Sequence, residues 1–250
     1  MTKCNDDTKQ FEIEKDERVR SYAKNKELLT TGQEFLLNSL KQKYSYNFHW
    51  MGLPIIQYPQ DIVALQEIIW DTQPDLIIET GVARGGSLLL YASLLEMIQS
   101  NGIVVGIDID IRKHNRKRIV EHTLSHRIRL IENSSLDKTT IAEVKRYTEG
   151  KKRIMVTLDS NHTHHHVLDE LNLYAPLVSE GCYLVVFDTV VEDMPSESFS
   201  DRPWGKGDNP KTAVVEFISQ NKDFQIDQLL EQKLIISAAP SGYLRRCNSF

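Results

Sequence analysis

From residue 75 onward the chain alternates between short, nearly continuous apolar runs and longer stretches with helical spacing. The apolar runs fall at 75–80, 103–108, 127–132, 153–159 and 181–188. Between them, at 86–98, 112–124, 137–148 and 162–175, apolar residues recur every three or four positions. Strands apolar on both faces and separated by helices predict a parallel sheet covered on both sides. The tail adds a helix at about 210–220 and strand candidates at 223–228 and 233–237, the last extended by Gly242 to Arg246. The expected fold is a doubly wound α/β sheet.

Upstream the pattern changes. Residues 1 to about 45 are charged, with helical spacing from Phe11 to Leu40 and no strand candidate. We expect a helical arm over 1–47 that packs on the main domain, 48–250, or on another subunit of a homo-oligomer. The segment from Phe48 to Pro59 is aromatic and punctuated by proline; it reads as a structured loop carrying Gln57. Asp61 is placed to cap a helix running to about Asp71.

Length and composition narrow the classes. A chain of 250 residues suits one large α/β domain with an extension. A net charge of −5 gives no overall basic footprint for nucleic acid. No apolar run approaches the roughly 18 residues of a membrane span, and the first residues are too polar for a secretory signal. Cys4, Cys182 and Cys247 are scattered, which predicts a reducing, cytoplasmic setting without disulfides.

The chemistry concentrates after the first apolar run, at Ile78-Glu79-Thr80-Gly81-Val82-Ala83-Arg84-Gly85-Gly86-Ser87. A strand, a glycine-rich turn and a helix deliver a nucleotide-like ligand to a helix N-terminus. Gly81 permits the tight turn, and Gly85 and Gly86 are read as clearing space for ligand and backbone. A dinucleotide fingerprint wants glycine where this chain has Ala83. Glu79 would repel a diphosphate but suits an amino group or a sulfonium. A methyl donor, S-adenosylmethionine, is therefore favoured over a dinucleotide. Asp108, ending the second run, is placed for ribose hydroxyls, and Ser134 and Ser135, after the third, suit an adenine edge.

The fourth and fifth runs end in Asp159 and Asp188. Two carboxylates meeting in a crevice repel unless one is protonated or a cation lies between them, and Mg²⁺ needs few protein ligands. The histidines 162, 164, 165 and 166 suggest zinc, but only His162 and His166 stand four apart and no third ligand is suitably spaced. Most of them are expected in solvent. His162, three residues after Asp159, is the candidate general base. The segment from Val190 to Pro210 has no strand pattern and reads as a lid or clamp, with Trp204 placed to stack on a sugar.

With these motifs, together with Gly106-Ile107-Asp108-Ile109-Asp110, Leu158-Asp159-Ser160-Asn161-His162-Thr163, Val185-Val186-Phe187-Asp188-Thr189 and Arg202-Pro203-Trp204-Gly205, the chain resembles the family of cephalosporin hydroxylases and rhamnosyl O-methyltransferases, over roughly Trp50 to Arg246. The layout is also similar to that of catechol O-methyltransferase. The resemblance implies a Rossmann-like, seven-stranded, mostly parallel methyltransferase sheet. It implies donor contacts from Glu79, Gly81, Ser87, Asp108 and Ser135, with Ala83, Gly85 and Ser134 beside them, and Mg²⁺ on Asp159 and Asp188. The chain departs from the family pattern at Phe187, where an acidic residue is expected; Thr189 or a water would then complete the shell. Gln57 and Trp204 are the candidate acceptor contacts. The activity so implied is methyl transfer to a hydroxyl of a deoxysugar. The alternatives are an accessory or oxidative tailoring protein of β-lactam biosynthesis and a nicotinamide-dependent oxidoreductase.

Overall fold

A computed structural model describes residues 4–247. The arm forms two helices, α1 (Cys4–Tyr22) and α2 (Lys26–Lys41), the second capped by Asn25, whose Oδ1 accepts from the Leu28 N–H at 3.1 Å. A small antiparallel hairpin follows, β1 (Phe48–Trp50) and β2 (Leu53–Ile55), within the stretch read as a loop. Met51 and Gly52 make its tip at φ 45° and 89°. Three-residue strands are too short for a period-two signal to stand out.

The main sheet is built from β3 (Leu76–Thr80), β4 (Ile103–Asp108), β5 (Ile128–Glu132), β6 (Ile154–Leu158), β7 (Tyr183–Val186), β8 (Phe224–Ile226) and β9 (Tyr243–Arg246). Helices α3 (Pro59–Thr72), α4 (Gly86–Met97), α5 (Lys113–Val120), α6 (Lys138–Thr148), α7 (His164–Tyr174), α8 (Pro210–Gln220) and α9 (Gln228–Leu234) complete the order. The strand order is β5-β4-β3-β6-β7-β9-β8, parallel except for β9, which runs antiparallel to both neighbours. β3 and β6 are buried along their whole length, as their unbroken apolar sequence requires. One core lies on the face covered by the hairpin, α3 and α4; the other lies under α7 and α8. Strand order reverses at β3, which pairs with both β4 and β6. Ligands of such sheets bind at the carboxyl ends beside this switch. Among the described residues no helix is long and apolar enough to cross a membrane.

Two expectations about the flanks are corrected. Asp61 is not a cap: α3 already begins at Pro59, and Asp61 is fully buried inside it. Its Oδ1 accepts from Ser237 Oγ at 2.6 Å and Tyr243 Oη at 2.8 Å, and its Oδ2 from the Ala238 N–H at 2.8 Å. Residues 233–237 are not a strand. Asp227 caps α9 by accepting from the Leu230 N–H at 3.0 Å, and the apolar residues that follow continue that helix as far as Leu234.

Asp61 thus ties α3 to the C-terminal loop, and burial pushes its carboxyl up to about 6. Asp61→Ala leaves two hydroxyls and one N–H without their acceptor. We expect it to lower unfolding stability by about 3 kcal/mol, measured by denaturant titration.

Candidate active site

Gly81 turns the chain after β3 at φ 91°, and its N–H donates to the Ile107 carbonyl at 2.7 Å. A Cβ at this position would lie 2.0 Å from the Asp159 carbonyl oxygen. The turn after β3 and the end of β6 therefore touch, and only glycine permits it. The Asp159 N–H in turn donates to the Thr80 carbonyl at 2.9 Å.

The rest of the turn is held by side chains. Asp108 Oδ2 accepts from the N–H groups of Val82 and Ala83 at 2.9 and 3.1 Å, fixing Ala83 at φ 45°. Asn115 of α5, which no sequence signal singled out, donates to the Ala83 carbonyl at 2.8 Å. The other two glycines serve packing. A Cβ on Gly85 would meet Ile119 at 2.5 Å and Leu53 at 3.2 Å, and one on Gly86 would meet the Pro54 carbonyl oxygen at 2.2 Å. Their smallness admits the hairpin and α5, the close approach of backbone expected of them, and both also line the cleft described below.

Glu79 is 1% exposed and accepts from Ser87 Oγ at 2.8 Å. Burial pushes its carboxyl up to about 8, with Asp108 adding a smaller push and the Ser87 hydrogen bond opposing it. Gln57 is 3% exposed, and both polar atoms of its side chain lack a partner among the described residues. It shares a cleft of about 40 Å³ with Ser87, Gly81 and Asp159. Here is an acidic group without a cation beside an amide without a partner.

A crevice of about 240 Å³ opens along the same edge, lined by Gly81, Ala83, Asp108, Ser134, Ser135 and Asp159 with Ser160, Asn161 and His166. His166 Nε2 lies 3.3 Å from Ser135 Oγ and 3.2 Å from Ser160 Oγ, and Ser160 donates to the fully buried Glu170 at 2.7 Å. His164 Nδ1 lies 2.8 Å from Thr212 Oγ1. Of the histidine run only His165 points into solvent, because α7 begins at His164 and its inner face packs on α8 and the crevice. A larger cavity, about 430 Å³, lies between the arm and α9 and contains none of the candidate residues.

On the other side of Gly81, donor atoms of Asp159, His162 and Asp188 all lie within 4.8 Å of one another. His162 Nε2 is 3.3 Å from Asp188 Oδ2. Burial, then the charges of Asp188, Glu79 and Glu170, push the Asp159 carboxyl well above the usual range. The two carboxylate oxygens suit a small divalent cation, with the imidazole nitrogen beside them. Thr189, next to Asp188, is buried, and its hydroxyl donates to the Pro240 carbonyl at 2.7 Å. Phe187 lies in the core, 2% exposed, so the cluster forms without an acidic residue there.

The 190–210 segment folds back over this cluster. Trp204 meets His162 edge to face at 4.8 Å, and the Arg202 guanidinium lies 5.6 Å from the indole centre. Asn209 donates to the Gly205 carbonyl at 2.9 Å, and Asp208 accepts from the His164 N–H at 2.7 Å. The second bond ties the segment to α7, and the first braces the segment on itself.

The family model described as Rhamnosyl O-methyltransferase/CmcI matches residues 42–247. The rhamnosyl O-methyltransferase of Mycobacterium tuberculosis (strain ATCC 25618 / H37Rv) is 29% identical over 204 residues, covering 79% of this chain and 77% of the relative. That of Mycobacterium leprae (strain TN) is 29% identical over 199 residues, covering 79% and 82%. Among solved structures, apo CmcI superposes with a TM-score of 0.58 at 20% identity, covering 82% of this chain and 78% of its own. CmcI with Mg and SAM gives 0.55 at 20% identity, covering 81% and 78%. The SAM complex of the O-methyltransferase TomG from Streptomyces achromogenes gives 0.52 at 15% identity, covering 90% and 91%.

The buried Glu79 makes a signed prediction. Its folded pKa, about 8, exceeds the ordinary 4.5, so its share of stability is greatest below pH 4.5 and is lost as pH rises to about 8. Glu79→Gln removes that slope. Without ligand, the variant should match the parent at acid pH and exceed it above pH 8 by a few kcal/mol, read from unfolding curves across pH.

Proposed function

We propose that this chain, which belongs to the Rhamnosyl O-methyltransferase/CmcI family, is an S-adenosylmethionine-dependent O-methyltransferase acting on a deoxysugar hydroxyl of a glycan, glycolipid or natural product. The observation that carries the reading is the contact between Gly81 and Asp159, which joins a cationic-ligand cradle to an acidic cluster.

The donor half is assigned to the turn. Glu79 is a buried carboxylate lacking a cation, which suits the donor's amino group or sulfonium, and Ser87 orients it. Asp108 borders the crevice while holding the turn, placed for ribose hydroxyls; Ser134, Ser135 and Gly81 line the remainder. Ala83, whose methyl replaces a fingerprint glycine, disfavours the nicotinamide alternative.

The acceptor half is assigned to the cluster. Asp159 and Asp188 would hold Mg²⁺, which when bound favours the deprotonated form of an acceptor hydroxyl and orients a neighbouring one. His162 is assigned the proton, taken at Nε2, with Asp188 facing the resulting imidazolium. Attack on the donor methyl consumes the charges of alkoxide and sulfonium together, so proximity and alignment are what the fold must supply. Trp204, edge-on to His162, is placed to stack on the sugar ring, and Gln57 to meet a polar group at the cleft. The curated relatives are named rhamnosyl O-methyltransferases, which favours the sugar reading over an accessory role in β-lactam biosynthesis. Exposed Phe11, Ile13, Leu29 and Phe35 on the arm favour association with a second copy, and the unpaired cysteines favour a cytoplasmic location.

Two experiments test this with a labelled methyl donor and a rhamnosyl acceptor. Asp159→Ala and chelator treatment should each reduce S-adenosylhomocysteine formation by more than about 100-fold; unchanged, chelator-insensitive transfer would remove the metal-assisted mechanism. His162→Gln should abolish the acid limb of the pH–rate profile. A profile of unchanged shape with weakened Mg²⁺ dependence would make His162 a metal ligand instead.

A further inference from the structure

The chain is acidic overall, yet residues 112–129 hold seven Lys or Arg against one carboxylate, Glu121. This stretch is α5 and the approach to the edge strand β5. Arg116 is taken by Glu132 at 2.6 Å, Arg127 by Glu96 at 2.5 Å, and Lys117 lies 3.8 Å from Glu121. Arg112, Lys113, Arg118 and Arg129 are exposed and have no carboxylate partner among the described residues.

The β1–β2 hairpin is fastened to this helix. Arg118 donates to the Gly52 carbonyl at 2.5 Å, and His122 Nε2 lies 3.2 Å from the Met51 carbonyl. Beneath, Leu53 and Ile119 fill the space left by Gly85. The buried side of the assembly is therefore complete, while its outer side leaves two large apolar groups in solvent: Met51, 52% exposed at the hairpin tip, and Val120, 59% exposed at the end of α5. Apolar groups standing among exposed cations, most of them without a carboxylate partner, are the composition of a surface that rests in a lipid interface. A nucleic-acid backbone would use the cations alone.

We propose that the face formed by α5 and the hairpin tip seats this protein on an anionic lipid membrane. Met51 and Val120 enter the interface, and Arg112, Lys113, Lys117, Arg118 and Arg129 meet lipid phosphates. Asn115 links the same helix to the Ala83 carbonyl, so the surface that rests on lipid is bonded to the turn at the crevice. Resting on the methyl-transfer reading, this points to a glycan acceptor carried on a lipid.

The test is flotation of the full chain with vesicles of phosphatidylcholine alone and of phosphatidylcholine with phosphatidylglycerol in equal parts, without donor or acceptor. Binding should require the anionic lipid and be lost at high salt. A charge-reversed variant combining Arg112→Glu, Lys113→Glu and Lys117→Glu should bind at least about tenfold more weakly. Met51→Asp should weaken binding while leaving thermal unfolding and transfer to a soluble acceptor unchanged. No flotation with anionic vesicles, equal flotation with neutral ones, or tighter binding to duplex DNA or RNA at the same salt would overturn the proposal. If the triple variant fails to fold, Met51→Asp and the salt series still decide it. Methyl transfer to a soluble acceptor is read separately, so loss of lipid binding does not bear on the enzymatic reading.

Discussion

The arrangement depends on one steric fact: the turn after β3 and the carbonyl of Asp159 occupy adjacent space that only a residue without Cβ can share. A Cβ on Gly81 would stand 2.0 Å from that oxygen. Parallel pairing of β3 with β6 brings the two strand ends level, Thr80 opposite Leu158. The next residue on each strand is then Gly81 or Asp159. The glycine turn after one strand and the acidic cluster after the other are therefore held side by side. On the proposed methyl-transfer reading, which is governed by alignment, this contact would set the separation of donor and acceptor.

Around that contact the protein buries carboxyl groups that have no Lys or Arg partner among the described residues. Glu79 is buried with Ser87, and Asp159 lies among Asp188, Glu79 and Glu170. Burying unpaired acidic groups costs stability, which the chain offsets through its two hydrophobic cores and through fixed hydrogen bonds such as those of Asp108 to the turn. On the proposed reading, a cationic donor at Glu79 and a divalent cation at Asp159 would relieve that cost.

Much of this was legible in the sequence. The apolar runs locate β3 to β7, and the acidic residues at their carboxyl ends locate Glu79, Asp108, Asp159 and Asp188, because strand ends in a parallel sheet deliver side chains to one edge. What was not legible depended on packing between distant segments. The glycines at 85 and 86 announce a close approach of backbone, but not that Ile119, Leu53 and Pro54 supply it, and nothing local announces a hairpin of three-residue strands. Asp61 was read as a cap because it precedes an apolar periodicity; its partners are Ser237, Ala238 and Tyr243, far along the chain. His166 lines the crevice from the first turn of α7, a placement that depends on how the helix packs on the sheet edge. Net charge hid the basic face of α5, since acidic residues elsewhere outweigh it.

The central claim is that the glycine turn and the Asp159 cluster are two halves of one ligand site. Crystals grown with Mn²⁺ in place of Mg²⁺ and with S-adenosylhomocysteine test it directly through anomalous scattering. The account predicts a Mn²⁺ peak held by Asp159 and Asp188, with the nucleoside in the crevice bordered by Asp108 and Ser135. Nucleoside bound elsewhere, or an acidic cluster that stays free of Mn²⁺ while the nucleoside is in place, would contradict it.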